Sequence, residues 1–272
     1  MTNAGPLRIE FQVAPLGGAP ASSVLRLLEA LERALAPVRL AWRGEVAGAF
    51  EATDDPRWRR AFQLVEVPDR EAWVGAQLQA RRTVLLYGGP ELPGLSVTAQ
   101  PALDVQLASG ESVGTVIVAF TPGSVAMQAV PALVEAMGDA LSAWTCALTP
   151  PASAVLALQV QRAPPGPVRP GVQALLAKSP RLAELPRLRG TARLSCAVAP
   201  PSIGWLNYWS DATAQWLGFP DPARDAEWLA RAHRTPAGAW LLQLTEAPLD
   251  LERPEHLDLL IRAYRRFERI GA

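Results

Sequence analysis

The chain has 272 residues, 26 basic and 26 acidic, and a formal net charge of zero. That length suits one large domain or two small ones, and the balanced charge excludes the strongly basic profile of a general nucleic-acid binder. About half the residues are hydrophobic, which is ordinary for a globular protein.

Leu7, Ile9, Phe11 and Val13 alternate with polar residues and predict a half-buried strand. A helix is expected from about Ser23 to Leu35, with Val24, Leu27, Leu28, Leu31 and Leu35 on one face. Ser22 or Ser23 can cap its start, and Pro37 stops it. Val38, Leu40 and Trp42 alternate with Arg39, Ala41 and Arg43 as a second strand. Residues 51–60 are charged and turn-like, and a short helix is predicted over 70–80. Strands are predicted at 83–87, 95–99, 102–108 and 114–120. The short loops between them contain Gly or Pro, which suits antiparallel meanders. A helix takes up part of 124–141, and Pro131 must start or kink it.

The character changes over 150–201, where prolines crowd and a long, partly irregular connection is expected. From Arg162 to Leu194 the basic residues, Arg187, Arg189 and Arg193 among them, face Glu184 as the sole acid. They read as a solvated face or as a basic docking strip. Regular patterning then returns. Ser210 or Asp211 can cap a short helix ending at Gly218. Asp221-Pro222 is expected to open another through about Ala232, Ala239–Thr245 reads as a strand, and Pro254 opens a helix to about Arg269. The expected organisation is an N-terminal α+β lobe (1–149), a Pro-rich basic connection (150–202) and a Trp-rich α+β segment (203–272) packed with the first lobe.

The apolar stretch 113–144 is broken by Pro122, Gly123, Glu135 and Asp139, so no membrane span is expected. The N-terminal residues lack the pattern of a signal peptide, which makes a cytoplasmic protein the expectation. Cys146 and Cys196 are far apart and read as buried free thiols. His233 and His256 have no partner at zinc-ligand spacing, so neither metal nor cofactor is expected.

One literal catalytic motif occurs, Gly110-Glu111-Ser112-Val113-Gly114, the G-x-S-x-G of a nucleophile elbow. An elbow needs a helix after its serine, whereas the β-branched run 115–120 follows here. Asp225 and His256 stand in the right order for triad partners, which keeps a serine hydrolase as an alternative reading.

The densest feature is aromatic. Five of the nine tryptophans fall within 204–240, joined by Tyr208 and Phe219. Trp205, Trp216, Trp228 and Trp240 are assigned to the core. Trp205, Tyr208 and Trp209 stand at a loop-to-helix entry and read as core or as a partly exposed cluster. In the second reading Tyr208, Trp209 and Asp211 are candidate contacts of a partner, with Arg187, Arg189 and Arg193 as an electrostatic rim.

The segments Gly204-Trp205-Leu206-Asn207-Tyr208-Trp209-Ser210 and Gly218-Phe219-Pro220-Asp221-Pro222-Ala223-Arg224-Asp225 resemble a domain family of unknown function seen mainly in myxobacteria. So do Leu244–Leu251 and the ending from Tyr264 through Ile270-Gly271-Ala272. That family is in turn similar to type VI immunity proteins of polymorphic toxin systems, α+β proteins that bind and neutralise a cognate toxin. The resemblance covers about the last 70 residues. It implies a non-catalytic binding protein whose partner is a cognate protein toxin. The expected fold is α+β, a largely antiparallel sheet flanked by helices, with room for two related lobes in one compact domain. A structural or regulatory interaction module is a further alternative, and the oligomeric state is not legible.

Overall fold

The structure is a computed structural model. It describes residues 7–16, 20–46, 62–80, 82–89, 96–103, 113–120, 125–150, 153, 157, 160–161, 170–188 and 196–271. Its first strand, β1 (Leu7–Val13), buries Leu7, Ile9, Phe11 and Val13, as its alternation dictates. The helix α1 (Ala21–Ala34) adds Val24, Leu28 and Leu31 to the same core. The strands β2 (Trp42–Val46) and β3 (Phe62–Glu66) follow. Next comes α2 (Arg70–Gln79), whose cap Asp69 accepts the Ala72 N–H. The strands β4 (Val84–Tyr87), β5 (Ser96–Leu103) and β6 (Val113–Phe120) complete a meander. A 3-10 turn at Met127–Ala129 leads into α3 (Val130–Ala140), with Pro131 in its first turn, so the proline starts the helix.

The strand β7 (Thr145–Leu148), the helix α4 (Pro170–Lys178) and a 3-10 turn at Pro180–Glu184 come next. The closing segment is β8 (Leu206–Trp209), α5 (Asp211–Leu217), α6 (Ala226–Leu229), β9 (Ala232–Arg234), β10 (Trp240–Gln243) and α7 (Pro254–Arg266). The ten strands of the described residues form one sheet in the order β3-β2-β4-β5-β6-β1-β7-β8-β10-β9. Every pairing among them is antiparallel. The protein is therefore α+β, an antiparallel sheet flanked by helices.

Several elements differ from the sequence reading. The strand expected at 38–43 begins only at Trp42, because the backbone of Leu40 is claimed by side chains. Its N–H donates to Glu32 Oε1 at 2.7 Å and its carbonyl accepts from Arg70 at 3.2 Å. Within the described residues the strands expected at 95–99 and 102–108 fall in one strand, β5 (Ser96–Leu103), with a register shift between Gln100 and Leu103, while 104–108 lie outside the described residues. The helix expected from Asp221 to Ala232 shrinks to Ala226–Leu229, since Asp221 and Asp225 bind each other's neighbourhood in a turn. Residues 51–60 lie outside the described residues.

The largest correction concerns β8. All four of its residues are buried. Side chains alternate between faces, so both faces of this strand are covered. On one face Tyr208 lies against α3, and a Cβ on Gly138 would come within 2.5 Å of its ring. On the other, Trp209 meets Phe219 and Phe267 edge-on at 5.6 and 5.0 Å. Registered pairing also sets Gln12, Thr145, Trp209 and Trp240 in one cross-strand row. Each carries a buried polar atom without a hydrogen-bond partner among the described residues: Gln12 Oε1, Thr145 Oγ1, Trp209 Nε1 and Trp240 Nε1.

Candidate functional site

The closing segment supplies a rigid platform. Ser210 caps α5 by accepting the Thr213 N–H at 3.1 Å, and Gly218 ends it in the left-handed conformation at φ 66°. The helix α7 lays Leu257, Leu260, Ile261 and Tyr264 into the core. The Tyr264 hydroxyl accepts the Ile203 N–H at 3.0 Å. With its apolar stripe held inward, α7 turns Arg262, Arg265 and Arg266 away from that stripe, and Arg269 follows one turn on.

Two clefts flank this helix. One, of about 530 Å³, lies beside its first turns and is lined by residues including Arg231, Arg253, His256, Asp258 and Arg262. Most of its charged residues are engaged within the chain. Arg231 donates to the Leu244 carbonyl at 2.8 Å, Arg262 pairs with Glu227 at 2.8 Å, Arg253 with Glu255, and Asp258 with Arg181. His256 is buried, and its Nδ1 accepts the Asp250 N–H at 3.0 Å, which fixes the ring's proton on Nε2. Burial and then Arg253 hold its pKa below the ordinary histidine value, while Glu255 and Asp250 pull the other way. The Glu255 carboxyl is itself held low, by a backbone hydrogen bond and then by Arg253.

The other cleft, of about 340 Å³, lies at the C-terminal end of α7 and includes Arg224, Arg265, Arg266 and Arg269 in its lining. Beneath it sits the most buried ion pair of the described residues. Asp225 is fully buried and takes two bonds from Arg266, one of them at 2.8 Å. Arg266 also caps α5 by donating to the Gly218 carbonyl at 2.8 Å. At the rim, Arg224 pairs with Asp221 at 2.6 Å and holds that carboxyl below its usual pKa.

The residues singled out from sequence fall in different places. Tyr208 and Trp209, proposed as partner contacts, are 2% and 0% exposed and belong to the core. They sit in a central strand, with no surface to offer. Burial, and then its hydrogen bond to Asp139 at 2.9 Å, raises the Tyr208 pKa and keeps the phenol protonated as a donor. Asp211 is exposed and pairs with Arg234 at 3.2 Å. Arg187 is exposed, and Arg189 and Arg193 lie outside the described residues. Trp205 and Trp228 are buried as expected, and Trp205 donates to the Thr245 carbonyl at 2.8 Å. Trp216 and Trp240 are only half-buried, each with an arginine over its ring, Arg269 and Arg234 respectively.

Of the G-x-S-x-G motif, Gly110, Glu111 and Ser112 lie outside the described residues, and Val113 and Gly114 begin the strand β6. An elbow would have a helix there. Asp225 is tied to Arg266 and His256 to the Asp250 amide, so the two do not form a triad's acid–base pair. Cys146 is buried and Cys196 half-buried, both free, and burial drives the Cys146 thiol pKa far up. Among the described residues no helix is long and apolar enough to cross a membrane, and no group of three His, Cys, Asp or Glu is placed to hold a metal ion. The cluster of arginines at the end of α7 and just beyond it was not singled out from the sequence. The signal was their spacing, 262, 265, 266 and 269, opposite the apolar stripe.

Known proteins give a context for this platform. No curated protein matches the chain. Among solved structures, the Pseudomonas aeruginosa T6SS protein PA0821 is similar in fold, with a TM-score of 0.53 and 13% identity over 97% of this chain and 73% of that one. The chain belongs to the family described as Domain of unknown function (DUF5953), which matches residues 21–272.

Proposed function

We propose that this DUF5953 protein is a non-catalytic binding protein of the immunity type, which neutralises a cognate protein toxin by direct, stoichiometric occlusion. One observation carries the reading, the way charge is held around α7. Arg224, Arg253, Arg262 and Arg265 are each anchored by a carboxylate of the same chain. The buried histidine beside them spends Nδ1 on a backbone amide. Such a surface presents a fixed charge pattern, which gives a protein interface its specificity and register. The fold likeness to a T6SS protein and the resemblance of the closing segment to type VI immunity proteins support the same reading.

The test is co-expression with the product of the adjacent gene. The chain should restore growth of cells that the neighbouring product poisons, and the two should co-purify as a stoichiometric complex. Failure of both growth rescue and complex formation would overturn the proposal.

A further inference from the structure

The groove at the C-terminal end of α7 concentrates one sign of charge in a chain whose net charge is zero. Its lining holds four arginines, Arg224, Arg265, Arg266 and Arg269, against Glu268 alone. We infer that this groove is a docking site for a carboxylate-rich segment of a protein partner. The partner's identity rests on the function proposed above; the groove's chemistry does not.

The guanidiniums are held from behind. Arg224 Nε donates to Asp221 at 2.6 Å, and Arg265 pairs through one terminal nitrogen with Glu184 at 2.9 Å. Arg269 donates to the Trp216 carbonyl at 2.5 Å and lies over the Trp216 ring at 5.7 Å. A guanidinium has five N–H donors in a fixed fork, so each of these three keeps donors for a ligand. The Arg224 and Arg265 side chains remain 63% and 69% exposed. Arg266 differs: it is largely buried, spent on Asp225 and the Gly218 carbonyl, and forms the floor. Anchored side chains lose less freedom when a ligand arrives, which favours binding. Forked donors match carboxylates in bidentate geometry.

The backing acids choose the ligand. Asp221, Glu184 and Asp225 offset part of the groove's charge, so a single small anion gains little. Several carboxylates on one segment can engage Arg224, Arg265 and Arg269 together, with Arg262 continuing the stripe one turn earlier. A nucleic acid fits less well. It needs a longer run of phosphate contacts, and the Trp216 face that could stack a base is occupied by Arg269.

The experiment is fluorescence polarisation of the full chain with a fluorescein-labelled deca-glutamate peptide and, in parallel, a labelled oligothymidylate of equal length. The variant Arg224→Glu/Arg265→Glu/Arg269→Glu is compared with Arg26→Glu/Arg33→Glu/Arg39→Glu, an equal charge change on exposed arginines in and after α1. A milder set, Arg224→Gln/Arg265→Gln/Arg269→Gln, guards against misfolding. The wild type and the α1 variant should bind the peptide alike, and the groove variants should bind at least about tenfold more weakly. Undiminished binding by the groove variants, no binding by the wild type, or a preference for the oligothymidylate overturns the inference. The growth assay separates the two claims. A groove variant that still protects cells moves the toxin contact elsewhere and refutes the groove alone. A wild type that neither protects cells nor forms the complex refutes the immunity function alone.

Discussion

Asp225 shows how one side chain can hold several parts of the closing segment. Its carboxylate has no exposure, and it accepts the Asp221 N–H at 2.7 Å as well as both bonds from Arg266. Removing one partner of a buried pair leaves the other charge desolvated and alone, which costs about 3–5 kcal/mol. Arg266→Met should therefore lower stability by roughly that amount in urea unfolding, and a loss of under about 1 kcal/mol would place the charge in water after all. His256 gives a pH prediction. In the unfolded chain imidazole titrates near about 6.5, and the folded value is lower. The unfolded state then takes up the proton first. The stabilisation is whole above about pH 6.5 and is lost as pH falls through the folded pKa. His256→Asn should flatten the fall of Tm between about pH 7.5 and 5, and parallel Tm profiles for the two proteins would refute the assignment. At this scale the sequence was readable where contacts are local: the Ser210 cap and Gly218 stop lie within a few residues of the groups they serve. The Asp225–Arg266 pair spans 41 residues, and no short-range pattern announces it.

Secondary elements were legible in proportion to their amphipathicity. The helices α1 and α7 bury one face and leave a period behind, and so does the strand β1 apart from the buried Gln12. The strand β8 buries both faces, so its four residues carry no alternation, and with Asn207 among them and Ser210 and Asp211 just after, they read as the entry to a helix. That is why Tyr208 and Trp209 could be read either as core or as partner contacts. The contact of β8 with α3 is tight enough to test. Glycine at position 138 lets the helix rest on the Tyr208 ring, where a methyl group would overlap it. Gly138→Ala should gain helix propensity worth up to about 1 kcal/mol yet lose about 1–3 kcal/mol to overpacking. Net destabilisation in thermal melts is the expected result, and a rise in Tm would refute the packing. The cross-strand row makes the opposite prediction. Thr145 Oγ1 is buried without a partner among the described residues, so Thr145→Val removes a desolvated hydroxyl and keeps the branched shape. Stability should hold or rise by about 1 kcal/mol, and a marked fall would reveal a hydrogen bond that the hydroxyl makes.

Across the whole molecule the sheet is continuous from β3 to β9, and the junction of its two ends is the pairing of β7 with β8 over four registered residues. One apolar cluster runs from Leu7 to Ile270 through this junction. Sequence predicts the lobes on either side, since each has its own short-range patterns, and packs the second on the first, but it does not give the β7–β8 pairing that joins them, because the two strands are separated by the long Pro-rich stretch. A shared core and a shared ladder imply shared stability. The chain should unfold in one cooperative transition, with tryptophan fluorescence, weighted to the closing segment, coinciding with far-ultraviolet circular dichroism, which reports the whole sheet. Gly204 sharpens the test. A Cβ there would lie 2.4 Å from the Leu148 carbonyl oxygen, which is backbone and cannot swing aside. Gly204→Ala must push the strands apart where the two ends meet. If the sheet is one unit, both signals shift together to lower temperature. If the closing segment folds by itself, the fluorescence transition separates from the dichroism transition, and the continuous sheet gives no shared stability.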